Sequence, residues 1–154
     1  MKQRIYIDTS VVGGYFDEEF KEATRLLFDR LEKSEIIFVV SGLLDLELLN
    51  APRDVRELLH NYSADKFQRV ELTQEVITLA DNYIFEKVVG QTSLEDCRHI
   101  ALATINRVDV LASWNFKHIV NLDRIKGYNS VNLKLGYPMI EIRSPKDLIN
   151  YGND

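Results

Sequence analysis

The sequence predicts an α/β protein with three layers, in which helices cover both faces of a mostly parallel central sheet. Short apolar runs alternate with longer segments whose apolar residues recur at spacings of three and four. Residues 36–40 are apolar throughout, as in a strand that a parallel sheet buries on both faces. Such a series packs as consecutive βαβ units. Because no repeat, low-complexity segment or linker interrupts it, we expect one domain over residues 1–154.

Local signals along the chain place the individual elements. Strands are predicted at residues 4–7, 36–40, 69–72, 108–112 and 139–142. Helices are predicted at residues 18–33, 43–49, 52–59, 74–83 and 93–104, with a short terminal helix from residue 145. The expected N-caps are Ser41, Thr73, Ser93 and Ser144. We place Gly13 and Gly14 in a loop and interpret residues 124–138 as a long connection with no assigned role.

The composition indicates an ordinary globular protein, with 45% apolar and 28% charged residues. The single cysteine, Cys97, excludes an intramolecular disulfide and a thiolate cluster for zinc. Since no apolar run is long enough for a signal peptide or a membrane span, we expect a cytoplasmic protein with no membrane association. The net charge of −5 disfavours strong nonspecific binding to phosphate backbones unless positive charge is local or a bound metal supplies it.

Four polar side chains occur where predicted strands end or where the helices after them begin. Asp8 follows the first strand, Glu47 lies in the helix after the second, and Asn115 follows the fourth. Asp96 lies in the first turn of the helix that begins at Ser93. Each has an ordinary alternative: a turn residue for Asp8 and Asn115, a solvent-facing residue for Glu47, and the acid of a capping box for Asp96. Their common location is more informative, because ligands of open parallel sheets bind at the carboxyl ends of the strands.

Three carboxylates and an amide at one sheet edge favour binding of a hard divalent cation. Oxygen ligands of this kind suit Mg²⁺ or Mn²⁺, whose coordination is completed by water and substrate phosphates. Unpaired carboxylates that lie close together also repel one another, which favours a cation between them. A metal in this position polarises a phosphate and activates water, so the predicted reaction is phosphodiester hydrolysis.

These residues fall in blocks that resemble the PIN-domain nucleases, and in particular the VapC-like ribonuclease toxins of toxin-antitoxin pairs. The blocks are residues 5–10, 41–47, 96–103 and 111–115. The resemblance implies a metal-dependent endoribonuclease with RNA as substrate, a small antitoxin as partner and a homodimeric assembly. It also implies the following roles: Asp8, Glu47 and Asp96 as metal ligands, Asn115 in a fourth catalytic position, and Thr9, Ser10 and Ser113 in support.

Asn115 departs from the commoner pattern of that family, in which many relatives carry an acid. We therefore expect one well-bound ion and a second that binds weakly. The nearest basic residues for substrate contact are Lys117 and His118, followed by Arg124 and Lys126, although such a cluster is also typical of solvated surface.

Other reactive or aromatic side chains near the blocks have ordinary interpretations. His99 could act as a general base, but three residues beyond Asp96 on a helix it is expected to pack or to face solvent. Cys97 is expected to be a small buried residue. Trp114 and Tyr15 could stack on bases, although packing in the core or at its rim is the commoner role of aromatic residues.

Two enzyme classes are disfavoured and one non-enzymatic class is retained. Phosphatases that use an aspartyl phosphate need a second acid two residues after the first, where this chain has Ser10. Neither GxGxxG nor GxxxxGK[ST] occurs, which disfavours a nucleotide-binding module. The alternative that remains is a noncatalytic PIN-fold interaction or RNA-binding module, favoured by Asn115 and by the acidic net charge. Binding of a divalent metal would separate the two.

Overall fold

In a computed structural model, which describes residues 1–149, five parallel strands form one sheet in the order β3-β2-β1-β4-β5. The strands are β1 (Gln3–Ile7), β2 (Ile36–Ser41), β3 (Phe67–Val70), β4 (Val110–Ala112) and β5 (Ile142–Arg143). The predicted α/β class and parallel sheet are confirmed. The predicted domain extends to residue 154, and residues 150–154 lie outside the described part of the chain.

Helices cover both faces of this sheet. They are α1 (Thr9–Gly14), α2 (Lys21–Glu32), α3 (Gly42–Leu48), α4 (Arg53–Glu57), α5 (Gln74–Phe85), α6 (Leu94–Ile105) and α7 (Leu122–Lys134). Short 3₁₀ helices lie at Leu58–Asn61, Ala64–Lys66, Gln91–Ser93 and Pro145–Leu148. Within residues 1–149, none of the helices has the length and apolar composition needed to cross a bilayer.

The two faces of the sheet build two separate cores, because successive side chains of a strand point in opposite directions. Ile5 and Ile7 of β1 pack with α1 to α4, in a core that includes Phe28 of α2. Tyr6, between them, packs on the other face with α5, α6 and α7 in a core that includes Ile100. All five side chains are at most 1% exposed. The predicted three-layer arrangement is therefore confirmed.

The topology places a crevice beside β1. The chain passes from β1 to β2 and β3 on one side, and then crosses to β4 and β5 on the other side. β1 pairs with both β2 and β4, with Ile5 in register with Phe38 and Val110. Helices that follow β1 and β4 leave in different directions at such a switch point, so the carboxyl ends of these strands border a ligand-sized crevice.

The prediction of a loop at Gly13 and Gly14 is wrong, because both residues belong to α1. Asp8 caps this helix by accepting a hydrogen bond from the backbone N–H of Val11. The glycines reduce helix propensity, which is why the sequence suggested a loop. A Cβ atom at Gly14 would lie 2.7 Å from Nε1 of Trp114, so close packing accounts for the glycine there.

The prediction that residues 124–138 form only a connection is also wrong, since most of them belong to α7. Asn121 caps this helix, and Gly127 lies where a Cβ atom would be 2.6 Å from a methyl carbon of Val88. The buried Asn129 side chain bonds both the backbone N–H and the C=O of Ile140. Polar residues with buried partners therefore interrupt the apolar pattern that would have indicated a helix.

The remaining boundaries differ in smaller ways. The last strand is Ile142–Arg143 and not 139–142, because the Asn129 side chain takes the place of a neighbouring strand at Ile140. The predicted N-caps are confirmed at Ser41, Thr73 and Ser144. Ser93 makes no side-chain capping hydrogen bond. The prediction that it forms a capping box with Asp96 is therefore wrong.

We expect Gly14→Ala to destabilise the protein by about 1–3 kcal/mol, because the added methyl group would displace Trp114 and Thr24 from their hydrogen bond. Gly13→Ala is the matched control, since a Cβ atom there meets no atom within 4 Å and alanine favours the helix by about 0.5–1 kcal/mol. Urea unfolding of the two variants measures both effects. Equal stabilities would contradict the packing argument.

Candidate active site

The predicted site residues lie around the carboxyl ends of β1, β2 and β4. Asp8 follows β1 directly, and Asn115 follows β4 in the segment that begins at Ser113. Glu47 lies in α3, the helix that follows β2. Asp96 lies in the first turn of α6.

Asp8 is the most deeply buried of the acids, with 4% of its surface exposed. Ser10 Oγ donates to Oδ1 and Ser113 Oγ donates to Oδ2, each over 2.6 Å. Ser10 Oγ also accepts from the backbone N–H of Trp114, at 2.8 Å, and thereby joins the ends of β1 and β4. Burial raises the pKa of Asp8, although the hydrogen bonds from Ser10 and Ser113 act in the opposite direction.

Glu47 is half-buried and held by two donors, so its interpretation as a free solvent-facing residue is wrong. Its Oε1 atom accepts from Thr9 Oγ1 at 2.5 Å and lies 2.6 Å from His99 Nε2. Burial acts to raise the pKa of Glu47, but the hydrogen bonds from His99 and from the Thr9 hydroxyl act against it, and the pKa is lowered.

Asp96 contacts Asn115, whose Nδ2 atom donates to Oδ2 of the acid over 3.3 Å. Burial raises the pKa of Asp96, and the negative charge of Asp8 raises it further. The Oδ1 atom of Asn115 accepts from the backbone N–H groups of Lys117 and His118, at 3.2 and 2.9 Å. Asn115 therefore shapes a turn, as its ordinary interpretation expects, and also makes a hydrogen bond to Asp96.

The donor set fits a cation that keeps much of its water. Among residues 1–149, no group of three or more His, Cys, Asp or Glu side chains is arranged to hold a metal ion. Both oxygens of Asp8 accept hydroxyl hydrogens, and Oε1 of Glu47 is occupied by Thr9 and His99. Mg²⁺ is commonly bound through one or two carboxylates together with waters and substrate phosphates. Asp8 and Asp96, whose charges repel each other, match that requirement.

The basic residues near the site divide into two groups. Lys117 is exposed, and His118 lies close enough to Asp96 for its charge to lower the pKa of that acid. The Nδ1 atom of His118 is buried and has no hydrogen-bond partner in the described part of the chain. Arg124 is instead engaged with the carbonyl oxygen of Val88, which removes it from the expected cluster.

Aromatic side chains beside the site pack mainly with one another. Trp114 is 9% exposed, stacks on Phe20 with ring centroids 4.2 Å apart, and donates through Nε1 to Thr24. Tyr15 packs edge-on against Phe28. The packing interpretation of Trp114 and Tyr15 therefore describes their contacts.

The sequence analysis did not predict the hydrogen bonds that connect three buried polar residues to Glu47. Tyr6, Ser41 and His99 are at most 2% exposed and are hydrogen-bonded to one another. Tyr6 was treated only as part of an apolar strand, and Ser41 only as a helix cap. One signal was available: a phenol in a strand buried on both faces needs a partner for its hydroxyl group. His99 does pack in the interior, as expected, but it also bonds two polar side chains.

Comparison with known proteins gives structural likeness alone, since no protein-family model and no curated protein sequence matches the chain. The toxin VapC20 of Mycobacterium tuberculosis, described as cleaving the sarcin-ricin loop, is similar with a TM-score of 0.58 and 13% identity over 73% of this chain and 91% of that one. A chain of the DNA-bound VapBC complex of Salmonella typhimurium is similar with a TM-score of 0.58 and 13% identity, over 94% of this chain and 99% of that one. A chain of FitAcB from Neisseria gonorrhoeae is similar with a TM-score of 0.56 and 14% identity, over 92% of this chain and 97% of that one.

At such identities the likeness concerns the fold, and the fold is that of the VapC- and FitB-type PIN toxins. The resemblance seen in the four sequence blocks is confirmed at this level. Fold alone does not establish chemistry, because one fold hosts many functions.

Proposed function

We propose that this protein is a divalent-metal-dependent endoribonuclease that hydrolyses RNA phosphodiester bonds, with Mg²⁺ or Mn²⁺ as the cofactor. The observation that carries the proposal is the pair Asp8 and Asp96 at the switch point of a PIN fold. Both are acids with raised pKa values, and each is held by neutral donors, so no side-chain cation among their hydrogen-bond partners balances their charge. A divalent cation would relieve the repulsion between the charges of Asp8 and Asp96.

Each residue of the site has a defined part in this proposal. Asp8 and Asp96 bind the ion, and Glu47 lies next to it. Ser10 and Ser113 fix both oxygens of Asp8. The ion, when bound, polarises the scissile phosphate and lowers the pKa of the attacking water.

Three further residues support the ion and the substrate. Asn115 fixes Asp96 through its amide group. Lys117, which is exposed, and His118, beside Asp96, would contact substrate phosphates. This local positive charge would offset part of the net charge of −5 that opposes RNA binding.

We further propose that the protein acts in the cytoplasm as the toxin of a toxin-antitoxin pair, with a small antitoxin as partner and a homodimeric assembly. Support comes from the structures that share its fold, which include a toxin-antitoxin complex from Klebsiella pneumoniae and VapBC complexes. The structural likeness extends over 88–99% of the length of these similar chains.

A second candidate, a noncatalytic PIN-fold interaction or RNA-binding module, is favoured by two observations. Within residues 1–149 the acids do not form a three-ligand metal site, and Glu47 is engaged by His99. Such a module would retain the acids without turnover and would bind divalent metal weakly.

We expect Asp96→Asn to reduce cleavage of a labelled single-stranded RNA by at least about 100-fold in Mn²⁺ or Mg²⁺, because it removes a metal ligand. Glu95→Gln is the matched control: it removes the same charge from the same first turn of α6, and its side chain is 53% exposed. The control should cleave as the original protein does, and EDTA should stop cleavage in both. Equal activity of the two variants would contradict the proposal, and absence of both cleavage and metal binding would favour the noncatalytic module.

A further inference from the structure

A chain of buried polar side chains runs from the N-terminus of α3 to the active site. Ser41 Oγ accepts from the backbone N–H of Leu44 and lies 2.8 Å from the Tyr6 hydroxyl. That hydroxyl lies 2.6 Å from His99 Nδ1, and His99 Nε2 lies 2.6 Å from Oε1 of Glu47. Ser41, Tyr6 and His99 are 0%, 0% and 2% exposed, so water has little access to these groups.

Burial makes the direction of each hydrogen bond deducible, because a buried donor without an acceptor is costly. Ser41 uses its oxygen to accept from Leu44, and its only described acceptor is the Tyr6 oxygen. Tyr6 must then donate to Nδ1 of His99. Nδ1 accordingly carries no hydrogen, and the imidazole donates from Nε2 to Glu47.

The opposite direction leaves a group unsatisfied. If Nδ1 donated to Tyr6, the phenol would donate to Ser41, and the serine hydrogen would have no acceptor in the described part of the chain. A phenol keeps its hydrogen at neutral pH, so Tyr6 remains a donor. One arrangement therefore satisfies every member of the chain.

From this arrangement we infer that His99 is a positioning residue that fixes the orientation of the Glu47 carboxylate. The Oε1 atom of Glu47 is used by its two hydrogen bonds, so only Oε2 is available to the metal or to a metal-bound water. Thr9 supplies the second hydrogen bond to Oε1. Glu47 would then ligate through one oxygen or through water, which agrees with the lack of a three-ligand cluster in residues 1–149. The functional consequence rests on the proposed metal-dependent activity, whereas the hydrogen-bond direction does not.

The first test is nitrogen NMR of the imidazole rings in the metal-free protein, which has only three histidines to assign. We expect His99 to carry its hydrogen on Nε2, with a strongly deshielded proton signal that Glu47→Gln shifts. The exposed His60 is the internal reference and should show no change. A hydrogen on Nδ1, or a His99 signal that Glu47→Gln leaves in place, would overturn the inference whatever the activity.

The second test compares His99→Leu, which removes the donor, with His99→Gln, whose amide can still donate to Glu47. We expect His99→Leu to weaken Mn²⁺ binding, measured by calorimetry, and to lower kcat by about 10- to 100-fold, as for other residues that orient a metal ligand. KM for RNA should change little, and His99→Gln should restore most of both quantities. His60→Gln is the remote control.

Thermal unfolding of each variant shows whether lost activity follows lost stability. Equal losses in His99→Leu and His99→Gln would overturn a positioning role, because a purely steric role would not distinguish a donor from a methyl group. If the unmodified protein neither binds Mn²⁺ nor cleaves RNA, the proposed function fails, and the NMR result still decides how His99 holds Glu47.

Discussion

Asp8→Asn is expected to lower RNA cleavage by about 1000-fold, because roughly 4 kcal/mol of metal-derived stabilisation of the transition state would be lost and each 1.36 kcal/mol is worth tenfold. Asparagine keeps the size of the side chain and is an equally good N-cap, so α1 should remain intact. The measurement is kcat/KM on single-stranded RNA at saturating Mn²⁺. Activity within a few-fold of the original protein would contradict the assignment of Asp8 as a metal ligand.

The same substitution should stabilise the metal-free protein, which separates a functional acid from a structural one. The pKa of Asp8 is raised in the folded state, so the native protein holds the proton more tightly than the unfolded chain. The raised pKa of Asp8 therefore contributes its full stabilisation below the ordinary carboxyl pKa. This contribution is lost as the pH rises through the pKa that Asp8 has in the folded protein. Urea unfolding in EDTA near neutral pH should show Asp8→Asn more stable than the original protein. Lower stability would mean that the lost hydrogen bonds outweigh the removed charge.

The second large effect is stabilisation by metal. At about a hundred times its dissociation constant, Mn²⁺ should stabilise the original protein by about 2.7 kcal/mol. For a chain of this size that corresponds to a rise in Tm of roughly 5–10 °C. Asp96→Asn should lose this rise and Glu95→Gln should keep it. Similar Tm values with Mn²⁺ and with EDTA would favour the noncatalytic module.

This stabilisation should grow with pH, because metal binding requires deprotonated ligands. Burial raises the pKa values of Asp8 and Asp96, so protons compete with the ion above the usual carboxyl range. The difference in Tm between Mn²⁺ and EDTA should therefore increase as the pH rises from the ordinary carboxyl range towards neutrality. A difference that is constant over this range would indicate that the ion binds elsewhere.

The sequence predicts the sheet well because its strands are short apolar runs with clear ends. Residues 36–40 were identified as a buried strand, and Ile36–Ser41 forms β2 with neighbours on both sides. Asp8 was identified because the apolar run before it ends abruptly. Local pattern is sufficient in these places, since burial on both faces leaves few alternatives.

The elements that were missed depend on contacts between residues far apart in sequence. Helix α7 includes Asn129, a residue with low helix propensity, whose side chain bonds Ile140. Gly14 is explained by the proximity of Trp114, which lies a hundred positions further along the chain. Periodicity cannot register such contacts, because it records only neighbours within a few residues.

The sequence predicted that the acids of the site lie near the carboxyl ends of the strands, but it did not predict the hydrogen bonds that they make. Asp96 was expected to be paired with Ser93, whereas its partner is Asn115 on a different segment. His99 was expected merely to pack, because nothing local indicated that Tyr6 and Glu47 would lie on either side of it. Directions of hydrogen bonds within a core follow from tertiary structure, and they decide which oxygen of an acid is available.

The position of Trp114 makes it a natural optical reporter of the candidate site. It is the only tryptophan in the chain, and its backbone N–H bonds the same Ser10 hydroxyl that holds Asp8. Its indole ring stacks on Phe20 and is tethered to Thr24. Asp8 is therefore two hydrogen bonds away from the backbone of Trp114. We therefore expect intrinsic emission to change when the crevice is occupied, which would report binding in unlabelled protein without any substrate turnover.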